Sequence, residues 1–145
     1  MDEQISSLTA EIETVKEIYA ATNRNDNPVA IKFFDPQMEW IEPADYPGGG
    51  GTYRGHAAVM AHISKGRNSW SEGRCNLEGF VVVGDKIVLL LHALVRLKDQ
   101  TEWIDGRFAD VATFRIGKAI QVRSFGEREV ALEWAGARAT GATLS

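Results

Sequence analysis

Two carboxylic acids and a phenol stand out by type and position. Asp110 lies in "RFADVATF", where a strand's period of two places it on one face with Phe108, Ala112 and Phe114. An acid between such neighbours runs against strand and burial preferences. Buried in an apolar site, a carboxyl keeps its proton to higher pH and can donate a hydrogen bond. Glu42 closes "MEWIEP", sharing a face with Met38 and Trp40, and Pro43 stops that strand. Tyr19 ends a helical stripe of Ile5, Leu8, Ile12, Val15 and Ile18 and points at the same interior. Each residue also has a plain structural role open to it. Tyr19 could be a core aromatic with a satisfied hydroxyl, Asp110 a structural acceptor, and Glu42 a solvated strand end.

Other chemistries find less support. His56 and His62 are six apart, so they do not share a helix face as a metal pair would, and His62 reads as a solvated helix residue. His92, in "VLLLHALV", shares a face with Val88, Leu90, Leu94 and Arg96; it is either a hydrogen-bonded core histidine or a pocket-lining group. No Cys/His cluster calls for a metal. Cys75 is the sole cysteine, which rules out an internal disulfide and reads as an inert thiol. No serine sits in a G-x-S-x-G elbow. The run "PGGGGTYRGH" (47–56) invites a phosphate-cradle reading. Gly50 and Gly55 have the P-loop interval, but His56-Ala57 replaces the required Lys and Ser/Thr. The dinucleotide fingerprint fails from Gly48 and from Gly49, and no βαβ context surrounds it. The run therefore reads as a flexible lip after Glu42, with Tyr46 and Tyr53 as gate residues.

The elements that must position these groups follow from periodicity and turn signals. A helix is predicted over 4–24, a short one over 28–34 started by Pro28, a strand over 38–43 and a third helix over 55–66. About four antiparallel strands follow, turning at Gly84-Asp85, 98–100 and Gly117-Lys118, and a closing helix spans 128–136. Helices segregated from a run of strands give an α+β class: a cone-shaped, curved antiparallel sheet, or half-barrel, packed against N-terminal helices. The chain of 145 residues reads as one domain over 1–136 with a loose tail at 137–145. A net charge of −4 argues against nucleic acid and anionic membranes as partners, and no stretch is long and apolar enough for a span. The acidic start "MDEQISS" carries no visible secretory leader, so a cytoplasmic location is the default.

The segments "YAATNRNDNPVAIKFFDPQMEWIEP", "YRGHAAVMAHI" and "FADVATFRIGKAIQVRSFGEREVALEWAG" resemble the SnoaL-like members of the NTF2-like superfamily, over most of residues 8–136. That resemblance implies the cone-shaped α+β barrel and a small apolar molecule in its pocket, without cofactor. Among these families, ketosteroid isomerases look most similar in chemistry. In them a helix-1 tyrosine and a protonated aspartate form an oxyanion hole, and a carboxylate after the first strand is the base. Tyr19, Asp110 and Glu42 match those positions, with Glu one methylene longer than the family's Asp. In ketosteroid isomerases the aspartate of that pair is a carboxylic acid kept neutral at pH 7 by its apolar site. Trp40, Tyr53, Trp70, His92 and Phe108 are the expected substrate-lining residues. SnoaL-type cyclases use an inward Asp with a nearby His, parts that Asp110 and His92 could take. The implied activity is proton abstraction and enolate stabilisation on an apolar carbonyl compound, by an isomerase or a cyclase. The alternative is a non-catalytic binder or a dimeric module, since this fold often pairs through its open sheet face; Arg107, Val111, Thr113 and Arg115 would form that surface of a homodimer.

Overall fold

The computed structural model describes residues 2–46 and 49–137, without the side chains of 2–7. The first helix, α1 (Asp2–Asn23), buries Leu8, Val15, Ile18 and Ala21 at steps of seven, three and three, along one face. Burying each larger side chain of that stripe contributes about 1.5–3 kcal/mol, which holds the helix on the sheet. Ile5 belongs to the expected stripe, but its side chain lies outside the described residues. A 3-10 helix (Asn27–Phe33) follows, with Pro28 in its first turn.

Six strands form one sheet: β1 (Phe34–Glu42), β2 (Gly51–Arg54), β3 (Trp70–Val83), β4 (Lys86–Leu97), β5 (Ile104–Arg115) and β6 (Lys118–Phe125). Their order is β2-β1-β6-β5-β4-β3. The second α-helix, α2 (His56–Asn68), connects β2 to β3, and α3 (Arg128–Ala135) follows β6. The β3-to-β6 meander is antiparallel, as expected, but β1 joins β6 in parallel. The sheet is therefore not antiparallel throughout. A parallel partner needs a long crossover, and everything between β1 and β6 serves as one.

Two boundaries differ from the periodicity. The first strand, predicted over 38–43, begins at Phe34 and takes in "DPQ" (35–37), where the β1–β6 register shifts between Phe34 and Glu39. Pro36 falls in that interval and has no N–H for a ladder. "GTYR", expected as loop, pairs with β1 as β2, and Gly55 precedes α2.

Core side chains lie on both faces of the sheet. The inward face carries Met38, Ile87, Leu89, Leu91, Ala112 and Val122 beneath α1 and α2. On the other face, Val88, Leu90 and Val111 pack with Ala131 and Ala137. The surface expected for pairing is thus partly filled from within: Val111 is fully buried and Thr113 is 7% exposed, leaving Arg107 and Arg115 exposed. Ala137 is buried, whereas the rest of the expected loose tail, 138–145, lies outside the described residues. Among the described residues, no helix is long and apolar enough to cross a membrane.

The glycine run has one position with a strict requirement. Gly50 has φ +72°, and a Cβ there would lie 2.1 Å from the Pro43 carbonyl oxygen and 2.9 Å from that of Glu42. Backbone atoms cannot yield as a flexible side chain can. Gly50→Ala is expected to cost about 1–3 kcal/mol and to displace the end of β1 that carries Glu42. Chemical denaturation measures the first effect; changed amide shifts at residues 40–42 would report the second.

Candidate active site

Tyr19 is held by the end of its helix. Asn23 clamps α1 to β3 with two bonds: its Nδ2 donates to the Cys75 carbonyl at 2.8 Å, and the Cys75 N–H donates to its Oδ1 at 2.8 Å. Arg67 from α2 donates to the carbonyls of Thr22 and Asn23, satisfying groups that a helix end leaves open. Its guanidinium also sits 4.8 Å above the Trp70 ring. So fixed, Tyr19 donates its hydroxyl hydrogen to Asp110 Oδ2. The other oxygen, Oδ1, accepts from the Ser124 hydroxyl at 2.7 Å.

Strand register sets the rest. Asp110 pairs with Ser124 on β6 and with Leu89 on β4, so it faces the inward core. On β1, Trp40 pairs with Val122 and Ile41 with Arg123, which brings Glu42 level with Ser124. Glu42, Ser124 and Asp110 therefore form one row across β1, β6 and β5. At about 4.8 Å per strand, the Glu42 and Asp110 backbones are about 10 Å apart, room for a small flat molecule. The adjacent row carries Tyr53, Trp40, Val122 and Ala112.

Glu42 is itself anchored. Its Oε2 accepts from Trp40 Nε1 at 3.1 Å and bonds His62 Nε2 at 2.8 Å. The Tyr53 ring stacks on His62 with centroids 3.9 Å apart. His62 is thus not the solvated helix residue expected: α2 turns it onto β1.

Burial dominates the protonation of this row. It pushes Asp110 from 3.8 up to about 6; the Tyr19 and Ser124 hydroxyls pull back, and the Glu42 charge pushes further up. Burial, then the Asp110 charge, raises the Tyr19 phenol well above 10, so Tyr19 stays a donor. Tyr46 is raised in the same way by burial and Asp110, and it interacts with the Ser124 hydroxyl. It stands close enough to both acids to feel their charge. Burial also pushes the Cys75 thiol up to about 12, consistent with an inert thiol.

A raised carboxyl pKa means the folded chain holds the Asp110 proton more tightly than the unfolded one. Stability from this group is therefore lost as pH rises from about 4 to about 6. Across that range the loss is on the order of 3 kcal/mol. Asp110→Asn removes the ionisation and keeps an acceptor for Tyr19. It is expected to melt several degrees above the native chain near pH 8 and level with it near pH 4. Thermal melts of both proteins across that range check this.

The expected lining residues divide. Trp40, Tyr53 and Phe108 pack on the inward core, Phe108 opposite Leu91. Trp70 also touches that core but pairs with Leu97, eight residues along β4 from Leu89, roughly 25 Å by strand rise. His92 points to the other face. Its Nε2 bonds Asp105 at 2.6 Å, its Nδ1 lies 3.6 Å from Glu78, and Val88 and Leu90 on its face belong to the cluster under α3. It is therefore not a lining residue, and it does not pair with Asp110. A groove of about 400 Å³ opens between α1 and β3, with Tyr19, Asn23, Cys75 and Phe80 among its walls. It lies along the opposite sheet edge from the glycine run, which precedes β2. Among the described residues, no group of three or more His, Cys, Asp or Glu could hold a metal ion.

Comparison with known proteins finds one matching family model and many chains of the same fold. The SnoaL-like domain matches residues 15–122. An NTF2-like protein of unknown function from Burkholderia pseudomallei is 26% identical, with a TM-score of 0.71 over 86% of this chain and 95% of its own. A putative SnoaL-like polyketide cyclase from Jannaschia is 15% identical, with a TM-score of 0.71 over 88% and 91% of the two chains. A protein with a ketosteroid isomerase-like fold from Catenulispora acidiphila, in complex with trimethylamine, is 13% identical, with a TM-score of 0.70 over 86% and 92%. At such identities the last two share the fold alone. No protein of curated function matches the sequence.

Proposed function

Because the chain belongs to the SnoaL-like domain family, whose fold group includes polyketide cyclases and isomerases, we propose that it is an acid/base enzyme acting on a small apolar carbonyl compound. The observation that carries this reading is the buried Tyr19–Asp110–Ser124 chain, facing the same interior as Glu42. Glu42 takes a proton from the carbon next to the carbonyl. The electron pair moves onto the carbonyl oxygen, where Tyr19 donates a hydrogen bond. Asp110 takes up one proton from solvent as the substrate binds, which its raised proton affinity favours; the neutral carboxyl releases the Tyr19 hydroxyl hydrogen to turn from Oδ2 to the carbonyl oxygen and donates its own O–H there as the second bond. Return of the Glu42 proton to another carbon gives isomerisation. Attack of the enolate carbon on a second carbonyl in the same molecule gives aldol cyclisation.

The test is exchange of the α-protons of β-tetralone in D2O, followed by NMR. The protein is expected to speed it well above a buffer blank. The competing reading is a binder without chemistry, and Tyr19 favours it in one respect: its hydroxyl hydrogen is already given to Asp110. Binding of para-nitrophenol, an enolate mimic, without any β-tetralone exchange would decide for the binder. The expected pairing through the sheet face remains a proposal centred on Arg107 and Arg115, the exposed members of that surface.

A further inference from the structure

Glu42 and His62 form a pair that proton abstraction by Glu42 does not itself require. Both donors to Glu42 converge on Oε2, leaving Oε1 to meet a substrate proton. A carboxylate only accepts, so Nε2 carries the imidazole hydrogen, and Nδ1 is the acceptor of the neutral ring. The ring is clamped: Tyr53 lies nearly parallel to it at 13°, and Trp40 is tilted 6.4 Å away. Both acid and imidazole are mostly shielded, at 15% and 20% side-chain exposure, so water screens the pair weakly.

We infer that His62 is a positioning and switching residue for Glu42: neutral, it fixes Oε1 as the base; protonated, it ties Glu42 into an ion pair and turns that base off. This rests on the reading of Glu42 as the base. The groups that face the pair are few. From β1 come Glu42 and Trp40, and from β2 the Tyr53 phenol. Asp110 and Tyr46 both feel the charge of Glu42. On α2 itself, Lys65 is exposed one turn on from His62, and Glu39 on the far face of β1 is occupied by Arg54. Among the described residues, Glu42 bonds no Lys or Arg, so His62 is the cation that can pair with it.

The experiment has two readouts. Long-range ¹⁵N NMR of the full chain gives the His62 tautomer and its titration midpoint without any substrate. The pH profile of β-tetralone exchange is then measured for the native chain, His62→Gln and His62→Ala. The Nε2–H tautomer is expected, with a midpoint that coincides with the acid limb of exchange. His62→Gln keeps a donor to Glu42 but cannot titrate, so it should retain exchange at high pH and move the acid limb down by about one unit or more. His62→Ala removes the donor as well and should lower the rate about 10- to 100-fold at every pH, without raising the apparent KM. An Nδ1–H tautomer, or an unchanged acid limb in His62→Gln, overturns the inference while the native chain still exchanges. Absence of exchange in the native chain overturns the base reading itself, and the inference with it.

Discussion

Glu42→Gln is expected to slow β-tetralone exchange by roughly 100- to 10,000-fold, the usual contribution of a positioned general base. The replacement is close to isosteric. Its amide oxygen can still accept from Trp40 Nε1 and His62 Nε2, so the row across β1, β6 and β5 should keep its geometry. The amide cannot accept a substrate proton. A second effect follows from charge. Glu42 helps to raise Asp110, so its neutralisation should let Asp110 titrate somewhat lower. Para-nitrophenol should still bind, with its proton uptake moved to lower pH. A variant that binds the phenol normally and has lost exchange separates the base from the oxyanion donors. Unchanged exchange in Glu42→Gln would assign the base elsewhere.

The row was legible in the sequence to the extent that it rests on local periods. Alternation along "MEWIEP" and "RFADVATF" placed Glu42 with Trp40 and Asp110 with Phe108, and the strands keep both assignments. Tyr19 followed from the helical stripe. What remained hidden depends on which strands meet. Ser124 bonds Asp110 because β6 pairs with β5 at that register, and Glu42 reaches the same row because β1 lies parallel to β6. Neither pairing is a property of the segment itself. His92 shows the same limit: its facemates Val88 and Leu90 were read correctly, but only the pairing of Leu89 with Asp110 tells which face is inward. His62 had a usable signal. It falls three residues after Val59 and next to Ile63, on the buried side of α2. Tyr46 had none, since a turn with the Tyr46 N–H on the Pro43 carbonyl folds it back. The glycine run ends with a part in the same site: Gly50 lets the returning chain touch the carbonyls at the end of β1.

Tyr19→Phe is the second large effect, and it combines a loss with a partial compensation. One oxyanion donor disappears, which by itself should slow exchange about 100- to 1,000-fold. Asp110 also loses the hydroxyl that pulled its pKa down, so its carboxyl should stay protonated to a pH above about 6. More of the protein then carries the second donor near neutral pH, and the rate loss should be smallest there and grow as pH rises. Stability changes with the same sign. With the folded pKa raised further, stability from Asp110 is lost over a wider window as pH rises, because ionised Oδ2 would be buried with one partner fewer. That deficit is about 1–3 kcal/mol where Asp110 is ionised and smaller where it is neutral. Thermal melts near pH 5 and pH 8 should therefore show Tyr19→Phe falling further below the native chain at the higher pH. A phenylalanine that only filled core space would leave the gap independent of pH and para-nitrophenol affinity unchanged. That result would make Tyr19 a packing residue and remove the oxyanion site with it.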